Sequence, residues 1–206
     1  MTKIFSHRAI FNSKENTLDG IKFYAKKMIN VELDLRKNDE VYLSHEQSEK
    51  GDSFKDACEI LKNSNIQAAL HIKEFKIVSE LQKILEENSL EEKCFLFMDD
   101  VKYELLQKNI SKNIEIAFYM NKKKHCENKI IWCDELKGKW FEKEIISGFQ
   151  KKGKELIGMS PELISSVGMN QIKKEWKYLV KMGFDGICTN HPMELKKWLE
   201  LEGQVN

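Results

Sequence analysis

The sequence predicts an α/β fold, a compact (β/α)8 TIM barrel formed by residues 1–206 as one domain. Three observations predict it. Short apolar runs recur along the whole chain, amphipathic stretches of helical period separate them, and histidines gather where the runs end. At 206 residues the chain can bury one substantial core but leaves little for loops, so the connections should be short.

The expected strands, in order, are Lys3–Ser6, Asn30–Leu35, Ala68–Ile72, Cys94–Met98, Ile114–Phe118, Lys129–Cys133, Glu155–Met159 and Gly186–Cys188. Val41–Ser44 follows the second closely enough to be its hairpin partner across Lys37–Glu40. Between them run helical stripes: Leu18, Ile21, Phe23, Tyr24 and Met28; Phe54, Ala57, Cys58 and Leu61; Ile77, Leu81, Ile84 and Leu85. Trp140-Phe141 with Ile145, Ile146 and Phe149 forms the next, and Trp176, Leu179, Val180 and Met182 another, stopped by Gly183. Met193, Leu195, Trp198 and Leu199 complete the last helix, and Glu200–Asn206 reads as a fraying tail. Eight βα alternations suit a closed parallel barrel. An open doubly wound sheet is the competitor, but its glycine-rich phosphate fingerprint is missing.

Charged residues make up 33% and apolar ones 41%, with net charge +1, so no global field draws the chain to nucleic acid or an anionic membrane. Positive charge for a phosphate would have to be local. Arg8 and Arg36 are the chain's two arginines, so an arginine beside a candidate site draws notice. The five cysteines show no CxxC pair and several sit in apolar runs; reduced core residues of a cytoplasmic protein are expected. No signal peptide is expected before the first strand, and no apolar run approaches the roughly 20 residues of a membrane span. Oligomeric state is not legible.

In a barrel, chemistry sits at the C-terminal ends of strands. His7, His45, His71 and His191 all fall there; His125 does not. In Glu32-Leu33-Asp34, period-two alternation places both carboxylates on one face of a strand. Buried, two such anions need a cation between them, and oxygen ligands suit Mg²⁺ or Ca²⁺. The alternative is an exposed edge strand with two solvated acids. Likewise Glu15-Asn16-Thr17 offers a helix start, with Asn16 or Thr17 as N-cap.

Ser6-His7-Arg8, Glu15-Asn16-Thr17, Glu32-Leu33-Asp34, Ser44-His45-Glu46 and His71-Ile72-Lys73 follow one another in that order. This ordered set resembles the glycerophosphodiester phosphodiesterase family, whose pattern runs H-R-G, E-N-T, E-x-D, H-D and E-x-K. Gly183-Phe184-Asp185-Gly186-Ile187-Cys188-Thr189-Asn190-His191-Pro192 is similar to the family's closing G-x-D-G-I-x-T-D-x-P. The resemblance implies a phospholipase C-like (PLC-like) phosphodiesterase barrel. It implies cleavage of a glycerol- or sugar-linked phosphodiester, often through attack by a neighbouring substrate hydroxyl.

The residue types suit that chemistry. A metal on Glu32 and Asp34 would neutralise the non-bridging oxygens, and Arg8 and Lys73 would add positive charge at the phosphate. His7 and His45 would share general base and acid roles, with the order left open. Glu15 is either a further ligand or the partner that orients Arg8 or a histidine.

The chain departs from the family pattern in three places. Ala9 stands where glycine is usual, so the loop should turn differently, and Glu46 stands for aspartate. His71 occupies the position of the third carboxylate. Either the imidazole is a ligand, weakening Mg²⁺ or Ca²⁺ and favouring Mn²⁺ or Zn²⁺, or water fills the place. Loss of metal and activity is a third outcome.

Farther on, Phe97-Met98-Asp99-Asp100, Trp132-Cys133-Asp134-Glu135 and Ser160-Pro161-Glu162-Leu163 are similar to a divergent bacterial subgroup of these barrels linked to surface-polysaccharide assembly. Trp132 and Trp140 fit core packing better than sugar stacking, and Lys122-Lys123-Lys124-His125 reads as a solvated loop. Two other function classes compete with the enzyme: a non-catalytic barrel binding a phosphorylated carbohydrate or a protein partner, and a sugar-phosphate lyase or isomerase.

Overall fold

The chain alternates strand and helix from end to end: β1 (Lys3–Ser6), α1 (Leu18–Lys27), β2 (Asn30–Lys37), β3 (Val41–Leu43), β4 (Asp52–Ser53), α2 (Phe54–Lys62) and β5 (Ala68–Ile72). Then come α3 (Val78–Glu87), β6 (Cys94–Phe97), α4 (Tyr103–Asn109), β7 (Glu115–Ile116), β8 (Phe118–Met120), β9 (Ile130–Cys133), α5 (Lys143–Lys151), β10 (Glu155–Met159), α6 (Met169–Met182), β11 (Gly186–Thr189) and α7 (Pro192–Glu202). The computed structural model describes residues 2–47, 51–98, 103–120, 126–134 and 141–202. Asp99, Asp100, the 122–125 cluster, Glu135, Trp140 and the last four residues lie outside the described residues.

The strands form a ring in the order β7-β6-β5-β2-β1-β11-β10-β9-β8. Neighbours on it pair in parallel. β7 and β8 share one stave, separated by Ala117, whose N–H donates to the Leu96 carbonyl at 2.8 Å. This is the TIM barrel that the alternation predicts, with one difference. The fifth stave runs on to Met120 and breaks at Ala117, because β7 pairs only with β6 and β8 only with β9. β3 folds back antiparallel on β2, Leu35 facing Leu43, as the expected hairpin.

Alternation sorts the side chains into two apolar layers. Val31, Leu33 and Leu35 of β2 face outward into the layer between ring and helices, with Ile21, Phe54, Leu61 and Leu81. Phe5, Phe95, Phe97, Tyr119, Trp132 and Ile157 fill the ring interior. There Phe5 meets Trp132 edge-on at 5.8 Å, and Phe97 stacks on Trp132 at 4.7 Å. At 2% exposure Trp132 is core. The five cysteines are free and buried, and burial pushes the Cys58 thiol up to about 12.

Met28 departs from its expected stripe. It is the left-handed C-cap of α1 (φ 56°) and stands 62% exposed. Gly183 ends α6 with φ 85°, as expected. Among the described residues, no helix is long and apolar enough to cross a membrane.

Candidate metal and phosphate site

The loop after β1 sets the entrance to the site. His7–Ala9 makes a single tight turn in which Arg8 (φ 52°) and Ala9 (φ 45°) are left-handed. Each such non-glycine residue costs about 1–2 kcal/mol. Hydrogen bonds hold the turn: the Arg8 N–H donates to Glu32 Oε2 (2.8 Å), and the Arg8 carbonyl accepts from the Asn16 N–H (2.6 Å). Helix α1 presses on this turn at Gly20, where a Cβ would lie 2.1 Å from the Ala9 carbonyl oxygen. Thus Ala9, where glycine is usual, does adopt a conformation glycine takes without cost.

Thr17 is the N-cap of α1, its Oγ1 accepting from the Gly20 N–H at 3.2 Å. That frees Asn16 (φ 54°) to turn inward. Its Nδ2 donates to Asp34 Oδ2 (3.1 Å), and its Oδ1 accepts from the Asp34 N–H (3.0 Å).

Glu32 and Asp34 lie on the inner face of β2 at 2% and 1% exposure, which excludes a solvated edge strand. The register places Asp34 beside His71 of β5. His71 Nδ1 is 3.2 Å from Asp34 Oδ1 and 3.8 Å from Glu32 Oε1, and its ring stacks on Phe97 at 4.5 Å. Lys73 Nζ approaches Asp34 Oδ1 at 3.5 Å, and Arg8 Nε approaches Asp34 Oδ2 at 3.2 Å. Among the described residues, Glu32, Asp34 and His71 form the one set with metal-ligand spacing, a ligand atom of each within 4.8 Å of the others. Glu15 stands apart from it and accepts from Arg8 Nη1 at 3.0 Å.

His7 enters from the other side, Nε2 at 4.0 Å from Glu32 Oε2 and Nδ1 at 2.8 Å from Asn190 Oδ1. His45 lies on the hairpin, tied to β2 through Ser44 N–H to the Asp34 carbonyl (3.1 Å). Its Nδ1 is 2.6 Å from Glu46 Oε1, so the glutamate standing for aspartate orients the ring. With Glu15, Asn16 and Asp52 it lines a cavity of about 340 Å³, which Asn16 links to Asp34 but which none of Glu32, Asp34, His71 and His7 lines. Arg36 takes a supporting place, donating from Nε to the His45 carbonyl (2.8 Å) and pairing with Glu74 at 3.0 Å.

Burial, then the negative charge of Asp34, pushes Glu32 up to about 8. Burial would raise Asp34 too, but the hydrogen bond and charge of His71, then Lys73 and Asn16, outweigh it and hold Asp34 below the usual carboxylate range. Burial lowers His7 to about 4 against the opposing hydrogen bond with Asn190. Two oxygens and one imidazole nitrogen are donors that a divalent cation accepts. The residues fit such an ion.

The sign of the pH effect follows. Because its pKa is raised on folding, Glu32 holds a proton in the native chain that the unfolded chain releases between pH 4.5 and about 8. Metal-free stability therefore loses this contribution as pH rises through that window. Glu32→Gln is expected to gain on the wild type from pH 5 to 8 in urea unfolding. A gap that does not change with pH would overturn the assignment.

No protein-family model and no curated protein matches this chain. Solved structures do. A Galdieria sulphuraria protein provisionally described as a glycerophosphodiester phosphodiesterase superposes with TM-score 0.80 at 17% identity, over 97% of this chain and 98% of that one. A glycerophosphodiester phosphodiesterase from Agrobacterium tumefaciens gives 0.73 at 14%, over 93% and 97%. One from Parabacteroides distasonis gives 0.76 at 10%, over 97% and 86%. A barrel of another class, N-(5'-phosphoribosyl)anthranilate isomerase from Pyrococcus furiosus, reaches 0.54. The fold is that of the phosphodiesterase barrels.

Asn16 and Asn190 touch the site, and sequence reasoning placed them elsewhere or passed over them. Asn16 had an equal claim as a cap. Asn190 sat where the family pattern has aspartate, the signal that could have found it.

Proposed function

We propose that this chain is a divalent-metal-dependent phosphodiesterase of the glycerophosphodiester phosphodiesterase kind, a phosphoric diester hydrolase. The observation that carries the reading is the convergence of Glu32, Asp34 and His71 with Arg8, Lys73 and His7 at the strand ends of the barrel. Glu32, Asp34 and His71 would hold the cation, which when bound supplies charge against the phosphoryl oxygens. An imidazole in the set favours Mn²⁺ over Mg²⁺ or Ca²⁺.

Arg8 and Lys73 would bind the non-bridging oxygens directly, with Glu15 holding the Arg8 guanidinium in place. His7, uncharged at working pH and bare at Nε2, takes the proton of the attacking hydroxyl. The anionic substrate raises His7 toward working pH as it docks, which strengthens it as a base. His45, facing the cavity from the hairpin, protonates the leaving alkoxide. A glycerol- or sugar-linked diester suits so polar a cavity, and five free buried thiols suit a cytoplasmic setting. A part in surface-polysaccharide metabolism belongs to the same reading.

One observation favours a non-catalytic, phosphate-binding barrel: the basic side chains of Arg8, His71 and Lys73 all gather on Asp34. Hydrolysis of bis(p-nitrophenyl) phosphate and of glycerophosphodiesters with Mg²⁺, Ca²⁺ and Mn²⁺ separates the two. Turnover is expected with Mn²⁺ foremost and abolished by a chelator. Absence of turnover with every metal, alongside metal-free binding of a sugar phosphate, would establish the binding barrel instead.

A further inference from the structure

We infer that Glu162, acting through Asn190, is the positioning residue that locks His7 in one tautomer and one orientation. As a statement about catalysis this rests on the proposed phosphodiesterase reading; as a statement about the imidazole it stands alone.

Glu162 follows β10 in the short turn Pro161–Leu163 and is not a member of the carboxylate cluster. Both its oxygens are engaged. Oε1 accepts from Thr189 Oγ1 (2.5 Å) and from the Asn190 N–H (3.0 Å). Oε2 accepts from Ser160 Oγ. The hydroxyls cannot turn away, because each also accepts: Ser160 Oγ from Trp176 Nε1 (2.8 Å) and Thr189 Oγ1 from the His191 N–H (3.0 Å). Ser160, Thr189 and Trp176 are fully buried. With Ser160 and Thr189 both donating to Glu162, the network ends on the backbone N–H of Asn190.

The Asn190 side chain carries that order to the site. Its Oδ1, an acceptor only, lies 2.8 Å from His7 Nδ1, so the ring proton sits on Nδ1 and Nε2 keeps its lone pair. Nε2 is the nitrogen turned toward Glu32. A His7 free to exchange tautomers would spend part of its time with Nε2 protonated and unable to accept a proton. An aspartate at 190 would fix the same tautomer but add charge; asparagine fixes it without charge.

Nitrogen–proton correlation NMR of the His7 imidazole, together with kcat and KM on bis(p-nitrophenyl) phosphate with Mn²⁺, tests this in the full chain. Wild type should show one tautomer protonated at Nδ1. Glu162→Gln should show tautomer averaging and a kcat lowered by about 10–100-fold, as misorientation of a reacting group does, with KM within about twofold. Asn190→Ala keeps every bond to Glu162 and removes only the side-chain acceptor, so it should average the tautomers even where Glu162→Gln unfolds the chain. Asn190→Asp keeps the acceptor and should restore the single tautomer. A wild-type proton on Nε2, or an Asn190→Ala spectrum equal to wild type, would overturn the lock. A wild type without turnover would defeat the phosphodiesterase reading instead, leaving the NMR comparison to decide the lock.

Discussion

Replacing Asp34 with alanine is expected to lower stability by about 3 kcal/mol, the lower end of what breaking a buried ion pair costs, and to abolish divalent-cation binding. Asp34 is the hub of the site: Arg8 Nε, His71 Nδ1, Lys73 Nζ and Asn16 Nδ2 all converge on its two oxygens within 3.5 Å. The lower end applies because Arg8 and Lys73 keep 22% and 15% side-chain exposure, so water recovers part of the loss. Asp34→Asn keeps the shape and some hydrogen bonds, and should lose about 1 kcal/mol of stability while still failing to hold the ion. The pKa of Asp34 is depressed on folding, so its stabilisation is complete above the ordinary value of 3.8 and fades as pH falls through the folded one. The deficit of Asp34→Ala should therefore persist at pH 5 and narrow only in strong acid. Urea midpoints across pH, with calorimetric titration of Mn²⁺, read both effects. An unchanged midpoint at neutral pH would remove Asp34 from the centre of the design.

The second large effect concerns the proposed base. His7→Ala should reduce kcat on a phosphodiester by about 10³-fold, within the range of positioned acid–base groups, while Mn²⁺ affinity stays within a few-fold. The two effects separate because His7 stands 4.0 Å from Glu32 and outside the ligand set. Burial lowers His7 to about 4, so between pH 6.5 and 4 the unfolded chain binds a proton that the native chain refuses. Its burial therefore costs stability as pH falls through that window, and His7→Ala should gain on the wild type there. The acid limb of the wild-type kcat/KM profile should lie well below the ordinary imidazole value. Full activity in the alanine variant, or loss of ion binding with it, would reassign His7.

The parts of this protein that were legible in its residues follow a rule of spacing. Glu32 and Asp34 share a face because a strand has period two, and Val31, Leu33 and Leu35 took the opposite face for the same reason. Gly183 read correctly as a stop because its left-handed conformation is one glycine takes freely. Met28 misled because the helix ended on a left-handed residue that was not glycine, turning an apolar side chain outward. The break at Ala117 was hidden inside an unbroken apolar run, since register against two different neighbours leaves no mark in composition. Asn16 and Asn190 escaped for another reason. An asparagine amide serves a cap, a turn or a ring nitrogen equally well, and only the tertiary neighbour decides.

The contact between His7 and Asn190 spans 183 positions of chain. Arg8, Glu32, Asp34, His45, His71 and Lys73 all lie between positions 8 and 73 and emerge from the ribosome well before Asn190. Yet the imidazole among them gains its partner only when β11 closes against β1. On the proposed reading, a nascent chain would carry its candidate ligands and phosphate-binding groups long before it could turn over a substrate, and competence would arrive with β11.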